Sequence, residues 1–276
     1  MNTTCVRVLL DNSIVSAAEL AEYVTEERME PWGDIQTKIG ISGFRKKLAD
    51  DAALQEEIDA IVTIGRLIRE GAVAAFTSSE LSLEAFRRSA RVMEFNALKG
   101  CHISTCPAPI ERSRYRQTVR FGESIAKGGK KDKKRGTDFG DFNQIPYMEW
   151  LLSLYEPAVQ CILAHGKEIG LPEFEAESFR QLDWFKFICS RVGSPENCVD
   201  AFHLWTAERN NMDVFLTMEK TLPNIVNQIT KSKNHKYQIR TSVLRPIAFL
   251  QSLGISKRDD VPIKPGRFYD FMGGSH

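Results

Sequence analysis

Four carboxylates stand at positions where strands and helices would carry them to one place. Asp11 closes the apolar run "CVRVLLD", and Glu84 lies in "TSSELSLEAF", just after a second apolar run. Asp200 interrupts the apolar face of "CVDAFHLWTAERNN", and Glu219 follows the run "DVFLT". Singly these acids say little in a chain that holds 36 of them. Gathered at one spot they would repel one another. A divalent cation that prefers oxygen ligands removes that repulsion, and Mg²⁺ or Mn²⁺ is the usual occupant.

The elements around the acids dictate how they would meet. "CVRVLLD" reads as a buried strand ending at Asp11. Ser16 and Glu19 have capping-box spacing, which predicts a helix running from there through "SAAELAEYVTEERM". Residues 50–70 form a long amphipathic helix that stops at Gly71. "AVAAF" (72–76) is a second strand, and "TSSELSLEAFRR" opens another helix, with Thr77 and Glu80 again at capping-box spacing. Ser194, followed by Pro195, caps the helix that carries Asp200 in its second turn. "DVFLT" (213–217) and the weaker "YQIRT" (237–241) read as strands, and "RPIAFLQSL" as a helix before Gly254. This alternation predicts an α/β fold with a mostly parallel sheet covered by helices on both faces. Ligands of such sheets bind outside the carboxyl ends of the strands. The four acids converge there.

In order and content, "LLDNSI", "TSSELSLEAF", "DAFHLWTAERNNMDVFLTMEK" and "VLRPIAFLQSLG" resemble the PIN-domain ribonucleases, over about residues 4–90 and 193–254. That family has an early strand ending on Asp, a Glu in a following helix, a helix of the form "DA-H---A" and a strand ending in "LT-D". The resemblance implies a PIN-like three-layer α/β/α fold and a metal-dependent endoribonuclease, a hydrolase that cleaves RNA phosphodiester bonds with metal-activated water. Asp11, Glu84 and Asp200 match the family's main metal-binding acids. Glu219 matches the fourth, where the family more often has Asp. Ser13 matches a small polar position beside the first acid, and Thr217 the threonine of "LT"; both would orient ligands or water. No catalytic histidine is required, and His203, one turn after Asp200, reads as a packed or hydrogen-bonded structural residue. Glu80 competes with Glu84 for the same helix face, but capping-box spacing gives it a structural role against the backbone near Thr77. Asp213 precedes its strand, at the wrong end for the site.

The alternation breaks over about residues 100–190. Residues 112–136 hold ten Lys or Arg against two acids. Their second half carries Lys127, Lys130, Lys131, Lys133, Lys134 and Arg135 with no apolar residue. Such a run by itself is a solvated loop; beside a phosphodiesterase site it is a candidate for contacts to the RNA backbone. Arg112, Arg114, Tyr115 and Arg116 interleave cations with an aromatic, which suits stacking on single-stranded bases. "IPYMEWLLSLYEPAVQCILAHGKEIG" reads as largely helical with a break at Pro157. The expected organisation is a PIN-like domain over 1–255, with a basic-loop and largely helical insertion at about 100–190, and a C-terminal tail over 256–276.

The formal net charge of +1 says little about partners. No run approaches the roughly 20 apolar residues of a membrane span, so no membrane is expected. The opening "MNTTCVRVLLDNS" has only a short apolar run ending on an acid, so no leader is expected either. Six cysteines, several in apolar contexts, suit a reducing, cytoplasmic setting. Cys101, His102 and Cys106 lack the second pair a zinc site needs. The expected partner is RNA, single-stranded or in a loop; an inhibitor protein or a second copy of the chain stays open. The competing reading is a catalytically weakened PIN-like module that binds RNA or protein, favoured by Glu at 219 and by the large insertion. A phosphatase using Asp11 as nucleophile would want a second Asp where Ser13 stands.

Overall fold

β1 (Val6–Leu10) is buried on both faces, because both faces of its sheet are covered. Val8 and Leu10 enter one apolar core, and Leu9 the other. The computed structural model of the chain describes residues 5–85, 94–115, 141–193, 197–231 and 237–270. After β1 come α1 (Asn12–Ala17), the paired strands β2 (Ala21–Trp32) and β3 (Ile35–Lys46), α2 (Ala52–Arg69), β4 (Val73–Ser78), α3 (Ser79–Ala85) and β5 (Ile103–Cys106). A short α4 (Arg112–Tyr115) is next, then α5 (Asp141–Ser153), α6 (Glu156–Ala164), α7 (Glu173–Arg180) and α8 (Leu182–Val192). The described chain closes with α9 (Asn197–Arg209), β6 (Val214–Leu216), α10 (Thr221–Lys231), β7 (Ser242–Leu244), α11 (Pro246–Ser252) and β8 (Phe268–Asp270).

The main sheet is five-stranded, in the order β5-β4-β1-β6-β7, and every pairing is parallel. The chain builds outward from β1 to β4 and β5, then returns to the other side of β1 with β6 and β7. The switch point therefore lies between β1 and β6, the place where open α/β sheets bind ligands. α1, α2 and α11 share a core with one face. α8, α9, α10 and the helices of the 141–192 stretch share a core with the other. The architecture is a three-layer α/β/α sandwich.

α2 obeys its sequence. Asp51 caps it by accepting from the amide of Leu54 at 2.6 Å. Ala60, Ile61, Ile64, Leu67 and Ile68 form its buried stripe, and Gly71 ends it at φ +76°. α9 is buried all round from Ala201 to Glu208 because the sheet lies on one side and α5 and α8 on the other. Its Trp205 stacks on Phe185 of α8 with ring centroids 5.1 Å apart.

Three expectations need correction, and the expected start of a fourth element lies outside the described residues. α1 starts at Asn12, not at residue 16; Ser16 caps nothing, its buried hydroxyl having no hydrogen-bond partner among the described residues. The run beyond it is not helical but becomes β2, paired with β3 through twelve residues around the two-residue turn Gly33–Asp34. Gly33 adopts φ +64°, which that turn needs at its first position. The strand expected at 237–241 lies further on, at Ser242–Leu244, because Glu208 Oε1 captures the amides of Arg240 and Thr241 at 2.6 and 2.5 Å. The helix carrying Asp200 is described from Asn197, with Asp200 in its first turn; Ser194 and Pro195 lie outside the described residues.

Two stretches read as peripheral contribute strands. Ile103–Cys106, within the stretch read as an insertion, is the outer strand β5 of the main sheet. Phe268–Asp270, within the stretch read as a tail, pairs with Gly43–Arg45 of β3. The approach to β8 lies along α2, with Asp259 bonded to Arg66 at 2.7 Å and Ile263 fully buried.

Gly65 offers a test in which two forces oppose. Within a helix, Gly→Ala is worth about 1 kcal/mol in favour of folding. An added Cβ at Gly65, however, would stand 2.1 Å from the carbonyl oxygen of Ala97, a backbone atom that cannot swing aside. Gly65→Ala is expected to lower stability by about 1–3 kcal/mol, read as a drop in the midpoint of chemical unfolding. A raised midpoint would show that the 95–97 segment gives way.

Candidate functional site

Asp11 is the first residue past β1. Its amide donates to Leu216 O at 3.0 Å, which extends the β1–β6 pairing by one step to the edge of the sheet. It holds the N-cap position of α1, yet its side chain makes no capping bond. The carboxylate turns instead toward β6. Only 7% exposed, it accepts from Ser13 Oγ and, at 2.7 Å, from Thr217 Oγ1, both on Oδ2. Each hydroxyl is itself aimed by a backbone amide: Met218 N donates to Ser13 Oγ at 3.0 Å, and Glu219 N to Thr217 Oγ1 at 3.1 Å. Two hydroxyls, each held by a backbone amide, thus donate to one carboxylate oxygen, while Oδ1 takes no hydrogen bond among the described residues. A carboxylate so buried would be costly without these donors.

One further contact brings α3 to the same edge, and α9 runs nearby. Asn12 Nδ2 donates to Leu81 O at 2.8 Å, setting the first turn of α3 beside Asp11. Glu80, in that turn, is 2% exposed and interacts favourably with His203 of α9, itself 1% exposed. Glu84 is one turn after Glu80, and Asp200 is almost one turn before His203. Because α9 leads back to the start of β6, its first turn lies at the carboxyl edge. Glu219 comes just after Thr217 there, with its side chain exposed. The side chain of Glu84 lies outside the described residues. Among the described residues, no three His, Cys, Asp or Glu side chains gather closely enough to hold a metal ion. Asp11, Asp200 and Glu219 do not make such a group by themselves.

Glu80 has a different role from the expected one. Ser78, not Thr77, caps α3, its Oγ accepting from Leu81 N at 3.4 Å. The Glu80 carboxylate pairs with Arg112 of α4: Nε lies 3.2 Å from Oε1, and Nη2 lies 3.0 Å from Oε2 without hydrogen-bond geometry. Burial pushes the Glu80 carboxyl above its ordinary range, and the attraction of Arg112 and His203 opposes that shift. Ser79 adds a bond to Glu111 at 3.0 Å, so two contacts clamp α3 to the 108–115 segment. Nothing in sequence flagged Arg112 as the partner of Glu80, 32 residues away.

The same geometry corrects the reading of the cationic stretch. Arg112 is 7% exposed and spent on Glu80, and Arg114 bonds to Glu175 at 3.1 Å. Arg112 is thereby buried away from any base, while Arg114 stays exposed beside its ion pair. Arg116, Lys127, Lys130, Lys131, Lys133, Lys134 and Arg135 lie outside the described residues. Asp213 is structural as expected, with Oδ2 accepting from Arg7 N at 2.8 Å. Cys101 and Cys106 serve opposite cores, which separates the C-x4-C pair. A cavity of about 670 Å³ opens elsewhere, lined by Trp184, Trp205, Arg209, Asn211 and Arg240 among others, and none of the four acids lines it.

Comparison of the chain with protein-family models, with curated proteins and with solved structures finds no match. No described helix is long and apolar enough to cross a membrane.

The Glu80–Arg112 pair makes a stability prediction. Because burial disfavours the Glu80 charge more than Arg112 and His203 favour it, Glu80→Gln, which keeps the shape and removes the charge, is expected to change stability near neutral pH by no more than about 1–2 kcal/mol. The pH dependence has a definite sign. With the folded pKa raised above 4.5, the native state keeps a proton that the unfolded chain releases. This residue's contribution therefore falls as pH rises from about 4.5 through the folded pKa. Unfolding free energies of the wild type minus those of Glu80→Gln, measured across roughly pH 4 to 8, should carry that downward slope; a difference that rises with pH would contradict it.

Proposed function

We propose that this chain is a PIN-like endoribonuclease dependent on Mg²⁺ or Mn²⁺, acting at the carboxyl edge beside β1 and β6. The observation that carries the reading is the Asp11 carboxylate. It is buried at the switch point, clamped through Oδ2 by Ser13 and Thr217, and leaves Oδ1 without a donor among the described residues. The donors are all oxygens, the set that suits a hard cation. Asp11, Glu84 and Asp200 would hold it, with Glu219 as a fourth, longer arm. A bound cation supplies the activation of water and the neutralisation of charge on the scissile phosphate. The chain's own part is positional. Ser13 and Thr217 hold one orientation of Asp11, the contacts from Asn12 and Glu80 fix α3 next to it, and α9 brings Asp200 to the same edge. Lys127, Lys130, Lys131, Lys133, Lys134 and Arg135 would meet the RNA backbone.

The second reading is a weakened PIN-like module that binds RNA or protein. Glu219 favours it, exposed and one methylene longer than the Asp that the family more often has there, and activity decides between the two. Purified protein should cleave single-stranded or loop RNA with Mn²⁺ or Mg²⁺ and stop on chelation. Asp11→Asn, Glu84→Gln and Asp200→Asn should each lower the rate by at least roughly a hundredfold. Thr217→Val, which removes one clamp on Asp11, should weaken metal affinity about 10–100-fold. Cleavage undiminished in EDTA would sink the metal mechanism; intact metal binding without cleavage would favour the second reading.

RNA binding can be tested apart from chemistry, in Ca²⁺. Each phosphate neutralised on a single strand contributes about −0.7 to the slope of log affinity against log salt. Replacing Lys130, Lys131, Lys133 and Lys134 with Ser should flatten that slope by roughly one to three units and leave metal binding intact. An unchanged slope would assign these lysines to solvent.

A further inference from the structure

The β2–β3 ribbon carries an apolar edge with which no other described strand pairs beyond Gly43–Arg45. From Thr25 to Ser42 no residue of the ribbon is buried. Trp32 is 79% exposed and Ile35 70%, and Met29 and Ile39 are exposed as well. A two-stranded ribbon without a core is marginal by itself, and a sheet of more strands with an apolar face is stable.

Its two outer edges differ. β2 carries Glu22, Glu26, Glu27 and Glu30 against one cation, Arg28, and its Pro31 lacks an amide, features that blunt pairing. Among the described residues, β3 meets β8 at Gly43–Arg45, and no other described strand pairs with the rest of that edge. Its remaining edge, "IQTKIGIS" (35–42), has one charge, no proline and an alternating apolar stripe of Ile35, Ile39 and Ile41. Because Trp32 and Ile35 close a two-residue turn, hydrogen-bonded and non-hydrogen-bonded pairs alternate from there. The amides and carbonyls of Gln36, Lys38, Gly40 and Ser42 then point away from β2, toward the open edge.

From this we infer that the chain forms a two-fold dimer in which β3 pairs antiparallel with β3 of a second copy, centred on Ile39. In this register Ile39 meets its symmetry mate as a non-hydrogen-bonded pair, where side chains approach most closely. Lys38 and Gly40 of opposite copies exchange both hydrogen bonds, as do Gln36 and Ser42. Thr37 lies opposite Ile41, so the apolar stripe continues across the axis. Charge fits as well. Lys38 forms an ion pair with Glu27 of its own hairpin, and both are exposed. Gly40, the cross-strand partner of Glu27, has no side chain, so Lys38 of the second copy reaches Glu27 over it. Two lysines and two glutamates then balance on one face of a four-stranded sheet. Centring on Lys38 instead would set two like charges opposite each other, which is unfavourable.

The oligomeric state of the full chain and a disulfide test decide this. Sedimentation of the wild type should give a dimer of the 31.3 kDa chain. Ile39→Lys, a change at a surface position, should weaken dimerisation by at least roughly thirtyfold while the circular dichroism spectrum stays as in the wild type. With the exposed Cys5 and Cys161 changed to Ser, Ile39→Cys should form an interchain disulfide on mild oxidation, since the Cα atoms of such a pair stand about 4.5 Å apart. Thr37→Cys and Ile41→Cys should each stay reduced alone and cross-link when mixed. A wild type that is monomeric throughout, or a dimer that ignores Ile39→Lys and yields no interchain disulfide with Ile39→Cys, overturns the inference and leaves the edge to an extended peptide of another protein.

Discussion

Asp11 sets a carboxyl group where water is largely excluded, and the carboxyl edge of the sheet is organised around its hydrogen bonds. Its Oδ2 draws hydroxyl hydrogens from Ser13 and Thr217, and those hydroxyls are held in turn by the amides of Met218 and Glu219. The consequence reaches beyond one side chain. The segment leaving β6 is tied to the segment leaving β1 at the point where strand order reverses, so the backbone on both sides of the crevice becomes one unit. A hydroxyl lost from either arm would leave a buried carboxylate under-satisfied and an amide unpaired at the same time.

The Glu80–Arg112 pair performs a second joining task. Burying two opposite charges brings little net stability, because desolvation offsets their attraction. It does restrict geometry: Glu80 can stay in the core only where Arg112 meets it, which fixes α3 against α4. The conformational specificity therefore falls on α3, the helix that also carries Glu84.

Elsewhere the molecule answers the opposite problem. The β2–β3 ribbon satisfies its backbone between its own strands but has too little apolar surface to bury alone. Its polar, proline-bearing edge and its isoleucine-bearing edge are chemically distinct, and only the second can accept another strand without setting like charges together. The core and the ribbon thus show two uses of β structure, one enclosed by helices on both faces and one whose face is left to solvent or to a partner.

Local pattern made much of the fold legible. β1, α2, β4 and α11 lie where their periodicity, caps and glycines put them, because a strand buried on both faces or a capped amphipathic helix is specified within a few residues. The alternation of these elements was enough for a parallel sheet and for a common edge where Asp11, Asp200 and Glu219 would stand. Local pattern misled where a partner far along the chain competes with it. Ser16 and Glu19 have the spacing of a helix start, yet twelve residues of strand pairing claimed the run beyond them. "YQIRT" has the composition of a strand, yet Glu208 captures its last two amides. Arg112 belongs by composition to a cationic run, and folding spends it on Glu80, 32 residues back. The clamp on Asp11 spans 206 residues to Thr217. The sequence by itself determined which residues could serve as acids, hydroxyls and strand cores. Only the tertiary structure decided which of them meet, because a hydrogen bond or ion pair between distant residues depends on the packing of whole elements, and no local spacing encodes it.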